Sequence, residues 1–119
     1  MAPQKLILVL DDDASVLRAV KRLLTTRGFA VEAYSTVESF LSCSNLREAS
    51  CLVLDVNLDG MSGIDLQRRL ARVGTSPPVI FITAQDQDET RRAALNAGCV
   101  AYLTKPFRSQ ALVDAIEAT

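Results

Sequence analysis

Four apolar runs in this 119-residue chain stop at, or run into, residues able to do chemistry. Asp11 and Asp12 follow Leu6–Leu10, Asp55 follows Cys51–Leu54, Thr83 follows Val79–Ile82, and Lys105 follows Val100–Leu103. Carboxylates, a hydroxyl and an ammonium around a divalent cation make a constellation for phosphoryl transfer. Asp55 is suited to act as nucleophile and form an aspartyl-phosphate. A cation and Lys105 would stabilise the equatorial phosphoryl oxygens, and Thr83 would donate a hydrogen bond to one of them. The chain contains no His. That removes Ser-His-Asp and Cys-His catalysis, His metal sites and phosphohistidine. A carboxylate ionised at pH 7 needs no base.

Electrostatics sharpen the choice of cation. Adjacent strands lie about 4.8 Å apart. If the first and third strands are neighbours, Asp12 and Asp55 are like charges whose repulsion at ~5 Å is roughly 3 kcal/mol at an effective dielectric near 20. Asp11 adds a third charge. Such a cluster calls for a cation or a shared proton. An all-oxygen site with few protein ligands suits Mg²⁺, with Mn²⁺ as a substitute. Lys105 would offset part of the charge without a metal.

The elements that must bring these residues together alternate along the chain. Lys5–Leu10 is a continuous apolar run that reads as a strand buried on both faces. Val16, Leu17, Val20, Leu23 and Leu24 fall at helical spacing, with Gly28 at the stop. Phe29–Tyr34 is a second strand, and Ser35-x-x-Glu38 is a capping-box pattern opening a short helix with Phe40 and Leu41. Asn45–Ser50 reads as loop. Cys51–Leu54 is the third strand, and a loop with two glycines, Val56–Gly63, follows. Ile64, Leu66, Leu70 and Val73 give the next helix an apolar side, broken by Pro77 and Pro78. Val79–Ile82 is a strand, Glu89–Ala97 a helix closed by Gly98, Val100–Leu103 a strand and Arg108–Ala118 a helix. Five β/α units imply a parallel sheet covered by helices on both faces, joined by right-handed crossovers. In an open α/β sheet the carboxyl ends of the strands line the ligand crevice, so the polar residues should converge there.

Composition bounds the rest. The length is that of one domain. A hydrophobic share of 49% and a charged share of 23% are those of a globular chain. Thirteen basic against fourteen acidic residues leave a net charge of −1, so the basic footprint of a nucleic-acid binder is absent. Arg68/Arg69 and Arg91/Arg92 read as solvated helix faces. Three cysteines, Cys43, Cys51 and Cys99, make neither a four-thiolate zinc site nor a disulfide framework and read as small buried hydrophobes in a reducing cytosol. The apolar run near the N-terminus is too short for a signal peptide or a membrane span, so a cytoplasmic protein without membrane association is expected.

Three other readings compete for the same residues. Asp55-x-Asn57-x-Asp59-Gly60 opens like an EF-hand calcium loop, but the twelfth position is Leu66 and the preceding segment reads as strand. Asp11-x-Asp13 with Thr83 and Lys105 resembles a haloacid-dehalogenase-like aspartyl-phosphate phosphatase using Asp11. That family needs an acidic pair after the lysine, and here Asp114 and Glu117 both fall inside a helix. A flavin or nucleotide module would need a glycine-rich phosphate loop after the first strand, which is missing.

From Leu6 through the last helix the chain resembles the receiver domain of two-component response regulators. The resemblance rests on Leu10-Asp11-Asp12-Asp13, Leu54-Asp55 followed by Met61-Ser62-Gly63, Phe81-Ile82-Thr83-Ala84, Asn96-Ala97-Gly98 and Tyr102-Leu103-Thr104-Lys105-Pro106-Phe107. Ser35…Phe40-Leu41 and the Lys-Pro-Phe ending look most like the FixJ-type transcriptional subfamily. The resemblance implies a flavodoxin-like fold with strand order 2-1-3-4-5 and five helices, an order the chemotaxis receiver also illustrates.

The roles it implies follow the same residues. Asp55 would accept the phosphoryl group from a histidine kinase. Asp12, Asp55 and the backbone carbonyl of Asn57 would hold Mg²⁺, with Asp11 acting through water. Thr83, Lys105 and the backbone N–H groups near Asn57 and Ala84 would hold phosphoryl oxygens. Tyr102 would swing inward as Thr83 moves. Lys105-Pro106 would be a cis bond, and Asn57 and Gln85 lie where receivers tune their own dephosphorylation. The fourth helix, fifth strand and fifth helix would form the output face and pair two copies on phosphorylation. Residues 1–119 would make one receiver domain that holds its phosphoryl group without turning over an external substrate, either standing alone or followed beyond Thr119 by the DNA-binding output domain usual in FixJ-type regulators. One departure stands out: receivers commonly carry Pro between Asn57 and Met61, where this chain has Leu58-Asp59-Gly60, implying a looser loop and added negative charge near the metal.

Overall fold

The computed structural model describes residues 4–42, 45–75 and 77–119. The strands are β1 (Leu6–Leu10), β2 (Ala30–Tyr34), β3 (Cys51–Asp55), β4 (Asn57–Leu58), β5 (Met61–Ser62), β6 (Val79–Thr83) and β7 (Ala101–Thr104). The helices are α1 (Ala14–Thr26), α2 (Val37–Leu41), α3 (Gly63–Arg72), α4 (Asp88–Asn96) and α5 (Ser109–Glu117). The main sheet is parallel, in the order β2-β1-β3-β6-β7, which is 2-1-3-4-5 of the five strands read from the sequence.

The continuous apolar runs sit in the middle of this sheet because both of its faces are covered. Successive side chains point to opposite faces. Leu8, Leu10, Leu52, Leu54 and Phe81 therefore pack with Phe40 of α2, Leu66 and Leu70 of α3 and Ala94 of α4. Ile7, Val9, Val53, Ile80 and Ile82 pack with Val20 and Leu24 of α1 and with Leu112, Val113 and Ile116 of α5.

Local details differ from the sequence reading in five places. Thr36, not Ser35, caps α2: its Oγ1 accepts the Ser39 N–H at 3.1 Å, so a Thr-x-x-Ser pair one residue on supplies the cap. Helix α3 ends at Gly74 (φ +80°), whose N–H and that of Thr75 close onto Ala71 and Leu70, ahead of the two prolines. Val73 is left 66% exposed and adds nothing to the apolar side of α3. Residues 45–50 contain a 3₁₀ turn, Leu46–Glu48, and β7 begins after Val100, which is exposed. The segment between β3 and α3 closes into a two-pair antiparallel ladder, Asn57 with Ser62 and Leu58 with Met61, turning at Gly60 (φ +80°).

Among the described cysteines, Cys51 is buried in β3 and Cys99 half-buried before β7; Cys43 lies outside the described residues. Burial pushes the Cys51 thiol up to about 12 and raises that of Cys99 as well. Among the described residues, no helix is long and apolar enough to cross a membrane.

Candidate functional site

Strand register does the positioning. Leu10 pairs with Leu54, Asp55 with Ile82, Ile82 with Leu103 and Thr83 with Thr104. Asp11, Asp55, Thr83 and Lys105 therefore leave four adjacent strands within two residues of one level, at the carboxyl edge where ligands bind in such sheets. One carboxylate oxygen each from Asp11, Asp12 and Asp55 lies within 4.8 Å of the others. Asp11 and Asp55 are buried and Asp12 is exposed.

Lys105 ties the buried pair together. Its Nζ donates to Asp11 Oδ2 at 2.7 Å and to Asp55 Oδ2 at 3.1 Å, with only 17% of its side chain exposed. The remaining oxygens of the two carboxylates are also held: Asp13 N–H donates to Asp11 Oδ1 at 2.9 Å and Asn57 N–H to Asp55 Oδ1 at 3.0 Å. Burial raises the Asp55 carboxyl above its ordinary range, and the Asp11 charge pushes the same way against the Asn57 and Lys105 hydrogen bonds. For Lys105, burial disfavours the ammonium, but the Asp11 and Asp55 carboxylates together outweigh it and the net direction is upward. A lone ammonium against three carboxylates leaves excess negative charge. Hard oxygen donors at this spacing fit Mg²⁺ or Mn²⁺.

Thr83 is fully buried. Its Oγ1 donates to the Gln85 carbonyl, accepts the Gln85 N–H, each at 3.1 Å, and accepts Asn57 Nδ2 at 3.3 Å. Asn57, Ala84 and Gln85 are exposed at the mouth of the site. The Lys105-Pro106 peptide bond is cis. Tyr102 stands apart on β7, paired with Phe81 and half-buried, so it is not among the side chains gathered around Asp55.

Three features escaped the sequence reading. Asp13 caps α1, its Oδ1 accepting from Ser15 N–H and the Ser15 hydroxyl at 2.9 and 2.7 Å, so it is engaged away from the carboxylate trio. The N-cap pattern Asp-x-Ser ahead of the helix could have revealed this. Gly63 opens α3 so close to β3 that a Cβ there would lie 2.2 Å from the Asp55 carbonyl oxygen. Arg91 is not simply a solvated charge: it forms two hydrogen bonds to Asp86 and lies over the Tyr102 ring, 4.8 Å from its centroid. Neither Gly63 nor Arg91 gives a local signal, because each acts on a residue of a neighbouring strand, Asp55 of β3 and Tyr102 of β7.

With this geometry the comparisons agree. Residues 7–117 match the family model of the response regulator receiver domain. The response regulator protein TodT of Pseudomonas putida is 41% identical over 112 residues, 94% of this chain and 49% of that protein. The transcriptional regulatory protein TdiR of Thauera aromatica is 33% identical over 112 residues, again 94% and 49%. The crystal structure of FixJ-N superposes with a TM-score of 0.85 at 30% identity, covering 98% of this chain and 93% of that one. The chain belongs to the response regulator receiver domain family, and its resemblance to the FixJ type extends to the fold. It spans about half the length of the curated relatives it matches.

Proposed function

We propose that this domain takes one phosphoryl group onto Asp55 from the phosphohistidine of a histidine kinase, or from acetyl phosphate, in a divalent-metal-dependent reaction. The observation that carries this reading is Lys105 Nζ, 3.1 Å from Asp55, at a carboxylate trio whose members lie within 4.8 Å. An Asp55 oxygen attacks phosphorus. With a phosphohistidine donor the phosphorus–nitrogen bond breaks, its electron pair returns to the imidazole nitrogen, and that nitrogen is protonated; with acetyl phosphate the bridging phosphorus–oxygen bond breaks and acetate leaves. Lys105, with the Asn57 and Ala84 N–H groups, holds the charge of the transferring oxygens, and Thr83 turns its hydroxyl from Gln85 to one of them. Asp12, Asp55 and the Asn57 carbonyl would hold Mg²⁺ or Mn²⁺, with Asp11 behind them through water. When bound, the ion neutralises the carboxylates and the developing phosphoryl charge. Asn57 and Gln85, at the mouth, position the water that later hydrolyses the adduct.

The domain thus holds one group per chain and turns over no external substrate. It acts as a switch in the cytoplasm, through its α4–β7–α5 face and pairing of two copies. Control of transcription by an attached DNA-binding module is supported by the similarity to TdiR, a transcriptional regulatory protein, and by relatives about twice this length.

Intact mass after incubation with acetyl phosphate and Mg²⁺ tests the reading. One added phosphoryl group, lost in Asp55→Asn and on chelation, is the expected result. An adduct that survives Asp55→Asn would move the acceptor to Asp11, as in the phosphatase reading.

A further inference from the structure

The loop after Thr83 is tied at one end to the site and at the other to Tyr102. Thr83 Oγ1 closes a turn on Gln85 through two 3.1 Å hydrogen bonds. The next residue, Asp86, accepts from Arg91 of α4 at 2.8 Å through one terminal guanidinium nitrogen and at 3.3 Å through Nε. That guanidinium covers the Tyr102 ring at 4.8 Å. The Tyr102 hydroxyl is buried and has no hydrogen-bond partner among the described residues.

We propose that Asp86 and Arg91 form a clamp that makes the position of Tyr102 depend on where the Thr83 hydroxyl points. The proposal rests on the reading of Asp55 as acceptor and Thr83 as a ligand of the phosphoryl group. Thr83 has one proton to donate. Given to a phosphoryl oxygen, it is withdrawn from the Gln85 carbonyl. The turn then loses the bond that fixes Asp86, Arg91 loses its anchor, and Tyr102 loses its cover. An isolated Asp–Arg pair this exposed would matter little. Here the forked geometry fixes the guanidinium plane, and the ring beneath carries an unsatisfied hydroxyl, so another position of Tyr102 gains a hydrogen bond that this one lacks. The clamp occurs with the Thr83 hydroxyl turned to Gln85. By linkage it therefore opposes loading of the site, and removing it favours loading.

Two readouts on Arg91→Ala and Asp86→Ala test the clamp. The first is nitration of Tyr102 by tetranitromethane, mapped by mass, with Tyr34 as internal control and no phosphoryl mimic present. The second is affinity for beryllofluoride with Mg²⁺, read by calorimetry. Both variants should nitrate Tyr102 faster and bind beryllofluoride more tightly, each by about two- to five-fold, the scale of one exposed cation–π contact. Asp86→Ala keeps the guanidinium, so its effect cannot come from loss of the cation itself. Unchanged nitration in both variants overturns the clamp, and so does an effect confined to Arg91→Ala. Faster nitration in both variants with unchanged beryllofluoride affinity overturns the coupling to Thr83, whereas failure of the unaltered chain to bind beryllofluoride refutes the acceptor reading instead.

Discussion

The carboxyl edge of the sheet and its α4–β7 flank hold their polar groups in opposite ways. At the edge, every carboxylate oxygen of Asp11 and Asp55 has a hydrogen-bond donor, and Lys105 joins these two buried residues. On the flank, Arg91 and Asp86 are both about half-exposed and the Tyr102 hydroxyl has no partner among the described residues. A site for covalent chemistry requires the first arrangement, since preorganised groups act without rearranging during the reaction. A switch requires the second, since moving parts come from the weakly held regions of a fold. One strand register supplies both, one step apart on β6 and β7.

The comparison breaks most severely at Lys105. Lys105→Ala should slow acetyl phosphate labelling of Asp55 by roughly 10²-fold or more, the usual cost of removing one donor to a developing oxyanion. The same change strands the buried Asp11 carboxylate. It should lower unfolding free energy by about 2–3 kcal/mol in urea titrations, below the full cost of breaking a buried pair because Lys105 reaches water. No loss in either measurement would mean that the edge is not preorganised around this ammonium.

Gly63→Ala sharpens the comparison from the backbone side. A methyl 2.2 Å from the Asp55 carbonyl must push α3 away from β3. About 1–3 kcal/mol of destabilisation is expected, with slower labelling of Asp55, whereas Gly60→Ala, where a Cβ meets nothing, should cost only the strain of its positive φ. Equal effects on labelling would show that close approach to Asp55 is not what Gly63 provides.

The smallest effect is read at the cysteines. Both thiols are raised by burial, so thiolate is scarcer at pH 8 than for a free cysteine, and scarcest at Cys51, which is pushed up to about 12. Iodoacetamide should therefore modify Cys99, on the flank, slowly and leave Cys51, in β3, unmodified until urea unfolds the chain. Peptide mapping that finds Cys51 labelled first would reverse the assignment of firm and loose regions.

Much of this was legible from local chemistry. The apolar runs ending in Asp55 and Thr83 announce central parallel strands, because only a sheet covered on both faces tolerates such runs. Convergence of Asp11, Asp55, Thr83 and Lys105 then follows from the general geometry of α/β sheets. The strand order and the cis bond before Pro106 came from the family resemblance, not from propensity. What stayed hidden depends on which strand packs beside each residue. Gly63 looks like an ordinary glycine of a turn until β3 is laid beside it, and Arg91 looks like solvent-facing charge until β7 brings Tyr102 beneath it. The α2 cap was misplaced by one residue because Ser35 and Thr36 both carry the hydroxyl a cap needs, and only backbone geometry separates them.

The helices differ in how deeply they are rooted. Helix α5 buries Leu112, Val113 and Ile116, whereas α4 buries only Ala94, with Ala93 and Ala97 packed beside it. Each large side chain withdrawn from water stabilises by roughly 1.5–3 kcal/mol and a methyl by about 0.8. A helix faced with alanines rests on the sheet as on a smooth track. Few side chains would have to disengage for it to shift, and this lightly rooted helix is the one that carries Arg91.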